Sequence, residues 1–272
     1  MESKSPEVRK MDLVLIGDGA VHKDNRFVTL NKKHRTPNTL SDFRTPDFRT
    51  PPDFPTKKVS LPTEIMANQV PEDGTMLPLM EEFYTIQGEG FNTGKAAYFI
   101  RLGGCDVGCH WCDVKESWDA ELHPLTHADQ IVQNALKHPS KAVVVTGGEP
   151  LLYNLDYLTS KLRTEGIKTF IETSGAYPIS GYWDWICLSP KKFKPPYWGI
   201  AQYAHELKVI IFNKSDFAWA EEHAKMVSPE CKLYLQPEWS KATEMTPLIV
   251  DYVMKNPQWE ISLQTHKYLN IP

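Results

Sequence analysis

Cys105, Cys109 and Cys112 share one short stretch, Cys105-Asp106-Val107-Gly108-Cys109-His110-Trp111-Cys112, apart from the other two of the chain's 5 cysteines, Cys187 and Cys231. Three thiolates at CxxxCxxC spacing, in a loop just after an apolar run, can wrap three irons of a cubane and leave the fourth open to a small molecule. A structural zinc ion is the competing reading, with His110 or His123 as fourth ligand. The spacing is unusual for a zinc ribbon, which weights the choice toward iron and sulfur. His110, between two cysteines, reads as a hydrogen-bonding or solvent-facing residue rather than a ligand. Cys187 and Cys231 read as small buried apolar residues.

A second stretch, Thr146-Gly147-Gly148-Glu149-Pro150, follows the apolar Val143-Val144-Val145. Two glycines at a strand end permit close backbone approach to a ligand. Glu149 adds a carboxylate that could receive the α-ammonium of a bound amino acid by a charge-assisted hydrogen bond. Alone it is also an ordinary strand-to-helix turn with a solvated glutamate; paired with CxxxCxxC at the preceding strand end it is specific. Trp111 reads as a core aromatic, or as a ring beside an adenine if the cluster holds an adenosyl ligand.

These stretches need a frame. From about residue 77 short apolar runs recur, with helical patterns between many of them. The pattern predicts strands at 97–102, 142–146, 168–172, 185–188, 206–211, 232–235 and 260–263. It predicts helices at 127–137, 154–165, 215–226 and 247–255. Such alternation means βα units and a parallel sheet. The apolar runs end in polar or glycine-rich signatures at Arg101–Cys105, Thr146–Pro150, Glu172–Gly175, Ser189–Lys191, Gln236–Glu238 and Gln264–His266. A βα barrel builds its site at those C-terminal strand ends. A complete eight-stranded barrel needs about 250 residues, more than this region holds. An α/β fold with an incomplete (βα)6 TIM-like barrel of about six strands is therefore expected over 76–272.

Residues 1–75 differ in character. They hold eight of the 21 prolines (Pro6, Pro37, Pro46, Pro51, Pro52, Pro55, Pro62, Pro71) and repeat Asp42-Phe43-Arg44-Thr45-Pro46 as Asp47-Phe48-Arg49-Thr50-Pro51. Such sequence buries too little surface to offset its ordering entropy, so a disordered N-terminal extension is expected, with a short strand at Leu13–Ile16 as its one apolar run. Met66 and Met76 precede the compact region, and a start upstream of the true one is an expectation that intact mass of the native protein would check. The formal net charge of −4 argues against an overall fit to nucleic acid or an anionic membrane. No apolar run reaches the roughly 18 residues of a membrane helix, and no signal peptide is visible at the N-terminus. A cytoplasmic location is expected, where clustered cysteines bind metal or react more often than they pair.

CxxxCxxC followed by Gly147-Gly148-Glu149-Pro150 resembles the radical S-adenosylmethionine (SAM) superfamily. Further motifs narrow the likeness: Glu82-Phe83-Tyr84-Thr85-Ile86-Gln87-Gly88-Glu89-Gly90, Phe99–Cys105, Trp111-Cys112-Asp113, Glu172-Thr173-Ser174-Gly175, Ser189-Pro190-Lys191 and the terminal Pro272. Over about 77–272 they resemble the 7-carboxy-7-deazaguanine synthase family. The resemblance implies a barrel of the radical SAM type, a [4Fe-4S] cluster on Cys105, Cys109 and Cys112, and SAM chelated at the open iron. It implies conversion of 6-carboxy-5,6,7,8-tetrahydropterin to 7-carboxy-7-deazaguanine with loss of ammonia, on the route to queuosine and other 7-deazapurines.

By resemblance, SAM is held by Trp111, Cys112, Asp113, Gly148, Glu149, Ser174, Ser189, Pro190, Lys191 and Gln236. Substrate is held by Ile86, Gln87, Gly88, Arg101, Thr146 and Pro272. A guanidinium such as Arg101 can grip a carboxylate in a fork; its competing role is a structural ion pair at the barrel mouth. The family commonly places Thr after Cys-Asp, where its hydroxyl binds a Mg2+ that also meets the substrate carboxylate. Val114 stands there and offers no oxygen, so Mg2+ is held through water and Asp113, or is needed less. The resemblance also implies a homodimer and an electron donor such as flavodoxin or ferredoxin. Two rivals stand beside this reading: an activating enzyme that makes a glycyl radical on a partner protein, and a zinc-stabilised binding module.

Overall fold

The computed structural model describes residues 70–272. The strand expected at Leu13–Ile16, and the expected extension as far as residue 69, lie outside the described residues. Residues 70–75 already join the packed body: Val70 rests on the core, and Asp73 accepts from Thr75 N and Oγ1 at 2.9 and 2.7 Å.

The elements in order are β1 (Met76–Ile86), β2 (Ala96–Leu102), β3 (Leu125–His127), α1 (Ala128–Leu136), β4 (Ala142–Gly147), α2 (Asp156–Thr164), β5 (Lys168–Thr173), β6 (Trp185–Leu188), β7 (Glu206–Ile211), α3 (Asp216–Ala224), β8 (Lys232–Pro237), α4 (Ala242–Lys255), β9 (Trp259–Ile261) and α5 (Thr265–Leu269). One open sheet holds all nine strands in the order β3-β1-β2-β4-β5-β6-β7-β8-β9. From β2 to β9 every pairing is parallel. The incomplete barrel is thus present, with seven parallel strands where about six were expected. The sequence reading missed β1 and β3, which pair antiparallel at one edge, and placed the start of α4 at Pro247, five residues too late.

The helices form where apolar spacing gives them a face to bury. Ile131, Val132 and Ala135 do this for α1, Leu158 and Leu162 for α2, and Met245 and Ile249 for α4. They pack on the sheet face that carries Tyr98, Ile100, Leu102, Val143, Val145 and Ile171. The alternate residues of the same strands face the other way, as a period of two requires. There Ala97, Phe99 and Val144 form a small apolar cluster with Phe83, Ala142 and Phe170. Two residues further along β2, β4 and β5, that inner face becomes Arg101, Thr146 and Glu172. Arg101 and Thr146 are register partners. The inner face is therefore apolar low in the barrel and polar at its C-terminal mouth.

Two glycines fix how closely the ends of β2 and β4 approach. Gly147 has φ +128°, and a Cβ there would meet Leu102 O at 2.1 Å. A Cβ on Gly148 would meet Gly104 O at 2.1 Å. Gly166 gives the contrast: φ is +70° but the space around it is open. Gly166→Ala should cost about 1–2 kcal/mol for its left-handed backbone. Gly147→Ala should cost clearly more, because it adds a collision with main chain to the backbone strain. Thermal unfolding of the two variants side by side checks this order.

Candidate active site

The cysteine loop leaves β2 through Gly103 and Gly104 and is clasped by its own far end. Gly104 N donates to Ser117 O at 2.6 Å and Cys105 N to Trp118 O at 3.0 Å. Within it, Cys112 N donates to Cys109 O at 3.0 Å. A second loop braces it from outside. Lys194 Nζ meets Asp106 Oδ2 at 2.6 Å, Tyr177 OH donates to the same oxygen, and Phe193 packs edge-on against His110 at 5.3 Å. Burial pushes the Cys105 thiol up to about 11 and raises the Cys109 thiol as well, so taking up a metal must drive proton release here.

The donor set favours a cluster over one zinc ion. Both candidate fourth ligands are engaged elsewhere. His123 Nε2 lies 2.8 Å from Glu116 O, and the exposed His110 ring packs on Phe193 and Phe212. Three thiols on one loop, each for a different iron, suit a cubane.

Glu149 is 1% exposed and is not the free carboxylate the sequence suggested. Its Oε1 accepts from Leu151 N at 3.0 Å and Thr173 Oγ1 at 2.5 Å. Its Oε2 accepts from Ser174 N at 2.8 Å and from Ser174 Oγ. Four donors fill the four lone-pair directions of the carboxylate. Its main chain also reaches the cysteine loop, through Glu149 N to Gly104 O at 2.9 Å. Glu149 thus ties the ends of β2, β4 and β5 together.

Below lies a charged network that the sequence reading missed. Lys208, 3% exposed, meets Glu89 Oε2 at 2.5 Å and Glu172 Oε2 at 3.2 Å. Gln87 Nε2 donates to Glu172 Oε1 at 2.8 Å, and Gln264 Nε2 to Glu89 Oε1 at 3.0 Å. Burial alone would raise the Glu89 carboxyl, but the Lys208 ammonium outweighs it and holds it down at about 2. Burial likewise opposes the charge on Lys208, and Glu172 and Glu89 restore it, to well above the usual lysine range. The available signal was the alternation of Glu206 and Lys208 in an otherwise apolar strand.

The three cysteines, Glu149 and the Lys208 network border one cavity of about 520 Å³ at the C-terminal strand ends, a size suited to small-molecule sites. Cys105, Cys109, Cys112, Trp111, Asp113, Val114, Gly148, Glu149, Ser174, Ser189, Lys191 and Gln236 line it, as do Ile86, Gln87, Gly88, Arg101, Thr146 and Pro272. Pro190 is buried and is not part of the lining. Several lining groups already have partners. Arg101 Nε is bound to Glu81 Oε1 at 2.7 Å, which leaves its two terminal nitrogens for a ligand. Asp113 Oδ2 meets Lys267 Nζ at 2.8 Å. Lys191 Nζ turns back on Ser189 O and Oγ at 2.7 and 2.6 Å, and burial lowers its pKa. Gln236 Oε1 accepts from Ser262 Oγ at 2.6 Å. Beside Val114 the wall gains a hydroxyl the sequence reading overlooked, Ser117 Oγ, which donates to Val114 O at 2.7 Å.

The model of the Radical SAM superfamily matches residues 99–187. A 7-carboxy-7-deazaguanine synthase from Flavobacterium psychrophilum is 66% identical over 201 residues, covering 74% of this chain and 95% of that protein. One from Synechocystis sp. is 48% identical over 194 residues, covering 71% and 93%. The crystal structure of QueE from Escherichia coli superposes with a TM-score of 0.63 at 27% identity, covering 71% of this chain and 95% of that one.

Lys208→Met should cost about 3–5 kcal/mol in denaturant unfolding, because it strands two carboxylates inside the barrel. The pH dependence gives a second readout. Glu89's carboxyl is depressed from 4.5 to about 2, so its contribution is complete above 4.5 and is lost as pH falls toward 2. In Lys208→Met that acid-side loss should shrink.

Proposed function

We infer the site's working from one premise: the chain belongs to the 7-carboxy-7-deazaguanine synthase family of radical SAM enzymes. It is a lyase of 7-deazapurine and queuosine biosynthesis that uses a [4Fe-4S] cluster and SAM. Its reaction takes 6-carboxy-5,6,7,8-tetrahydropterin to 7-carboxy-7-deazaguanine and ammonia, a balanced, redox-neutral ring contraction. The observation that carries the assignment of this cavity is that the three cysteines and the Gly148–Glu149 turn border it together. Neither the activating-enzyme nor the zinc-module rival accounts for that together with the family.

In this reading Cys105, Cys109 and Cys112 hold three irons of the cluster. With SAM bound beside it, the cluster would supply the radical chemistry by which one substrate hydrogen is removed and later returned. The protein's own work is to bind, orient and exclude water. Trp111 flanks the adenine, and Gly148, Ser174, Ser189, Lys191 and Gln236 line the SAM side, with Asp113 beside them. Glu149 acts by fixing the turn, while its rotatable hydroxyl donors, Thr173 and Ser174, can yield to an incoming ammonium. The terminal nitrogens of Arg101 grip the substrate carboxylate in a fork. Thr146, Ile86, Gly88 and Pro272 shape the wall around the ring. Glu172, held by Gln87 and Lys208, offers an acceptor to the ring's N–H groups.

A reductant is required to start the chemistry, and a flavodoxin or ferredoxin fits that need. A homodimer follows from family likeness. Among the described residues no helix is long and apolar enough to cross a membrane, and all five cysteines are free, which supports a cytoplasmic location. The relatives' matches cover 71–74% of the chain, which supports a catalytic domain at about 76–272 with the first 75 residues added to it.

Anaerobic reconstitution with iron and sulfide, then assay with SAM, dithionite and 6-carboxytetrahydropterin, tests the reaction. Product without net SAM consumption is expected; a cluster that cleaves SAM without product would overturn the substrate assignment. Since Val114 offers Mg2+ no oxygen, removal of Mg2+ should lower turnover only a few-fold. A many-fold loss would contradict this, and Val114→Thr should then raise the affinity for the ion.

A further inference from the structure

A second cavity of about 450 Å³ opens at the other end of the barrel. Its walls come from the N-terminal ends of the strands: Ala96 and Ala97 of β2, Ala142 of β4, Lys168 of β5 and Trp185 of β6. In βα barrels this end ordinarily serves stability. A stabilising layer has no need of three lysines around one opening, yet Lys95, Lys141 and Lys168 line this one, against a single acid, Asp184.

The cations are spare. Among the described residues the ammonium groups of Lys141 and Lys168 have no hydrogen-bond or ion-pair partner. The two residues sit side by side, with Lys168 N donating to Lys141 O at 2.8 Å. Asp184 forms no ion pair with them among the described residues; its Oδ2 accepts from Thr169 N at 2.9 Å. Lys95 Nζ meets Asn92 Oδ1 at 3.0 Å and lies 4.9 Å from the Phe91 ring centre. The side-chain N–H groups of Asn92 have no protein partner among the described residues and face water. Apart from Gln87, the rest of the lining is apolar. Phe91 and Trp185 stack at 4.6 Å, above a floor of Phe170, Val144 and Ala97.

We propose that this cavity binds a planar aromatic carboxylate. The apolar floor and stacked rings accept a flat ring, and the lysine rim with the Asn92 amide selects its anionic group. The reaction's product belongs to this class, and in that respect the proposal rests on the catalytic reading above. Gln87 walls both cavities, so such a molecule bound below would abut the residue that holds Glu172 in the upper site.

The test is anaerobic equilibrium binding of 7-carboxy-7-deazaguanine to the cluster-loaded enzyme, against a Lys141→Glu/Lys168→Glu variant. Both lysines are exposed, and an unchanged melting curve confirms the variant's fold. Two molecules per chain are expected for the parent. In the variant one site should persist and the other weaken roughly tenfold or more. One molecule per chain in both proteins, two equal sites in both, or no binding at all overturns the proposal. Were the lysine-sensitive site alone to remain, with no product in the turnover assay, the catalytic reading would fail while this proposal stood.

Discussion

The catalytic end of this barrel depends on a contact between main chains that no side chain can share. Gly148 N donates to Leu102 O and Glu149 N to Gly104 O, both at 2.9 Å, across a gap where any Cβ would collide. Through it the cysteine loop after β2 and the turn after β4 become one rigid unit. Glu149 extends that unit to β5 by accepting from Thr173 and Ser174. Three strand ends are thereby fixed before any ligand arrives, which is what a site needs when its chemistry rests on placing a bound cofactor to within fractions of an ångström.

The interior is organised on the opposite principle, by charge. Lys208 is buried and shared between Glu89 and Glu172, with Gln87 and Gln264 filling the remaining oxygens. A buried pair of this kind stabilises little compared with an apolar core, and is costly only when broken. Its value lies in holding two acceptors in the cavity wall, each with a fixed orientation. The gradient along the inner face supports this division: Phe99, Val144 and Phe170 below, Arg101, Thr146 and Glu172 above.

How far the sequence disclosed this depends on which signal each element carries. The seven parallel strands were legible because strands buried on both faces read as apolar runs. The strand-end signatures were legible because barrel topology assigns them one location. β1 was not, because a bulge between Leu79 and Glu81 shifts its register and breaks the alternation. The start of α4 was lost to Pro247, read as a first-turn residue when it lies inside the helix. Glu149 was seen, but its bracing role was not, since no local pattern tells that Thr173 and Ser174, a strand away, donate to it. Lys208 was hidden for the same reason: its partners are 119 and 36 residues distant.

The two edges of the sheet differ, although both end in a short strand. β3 spans Leu125–His127 just after Pro124, and β9 spans Trp259–Ile261. β9 leaves only a few backbone donors and acceptors unpaired, but β3 covers Met76–Pro78 alone, so along Leu79–Ile86 the side of β1 away from β2 has no partner strand among the described residues. Among the described residues the sheet can therefore lengthen only past β1, where an added extended strand would find backbone partners that β9 lacks.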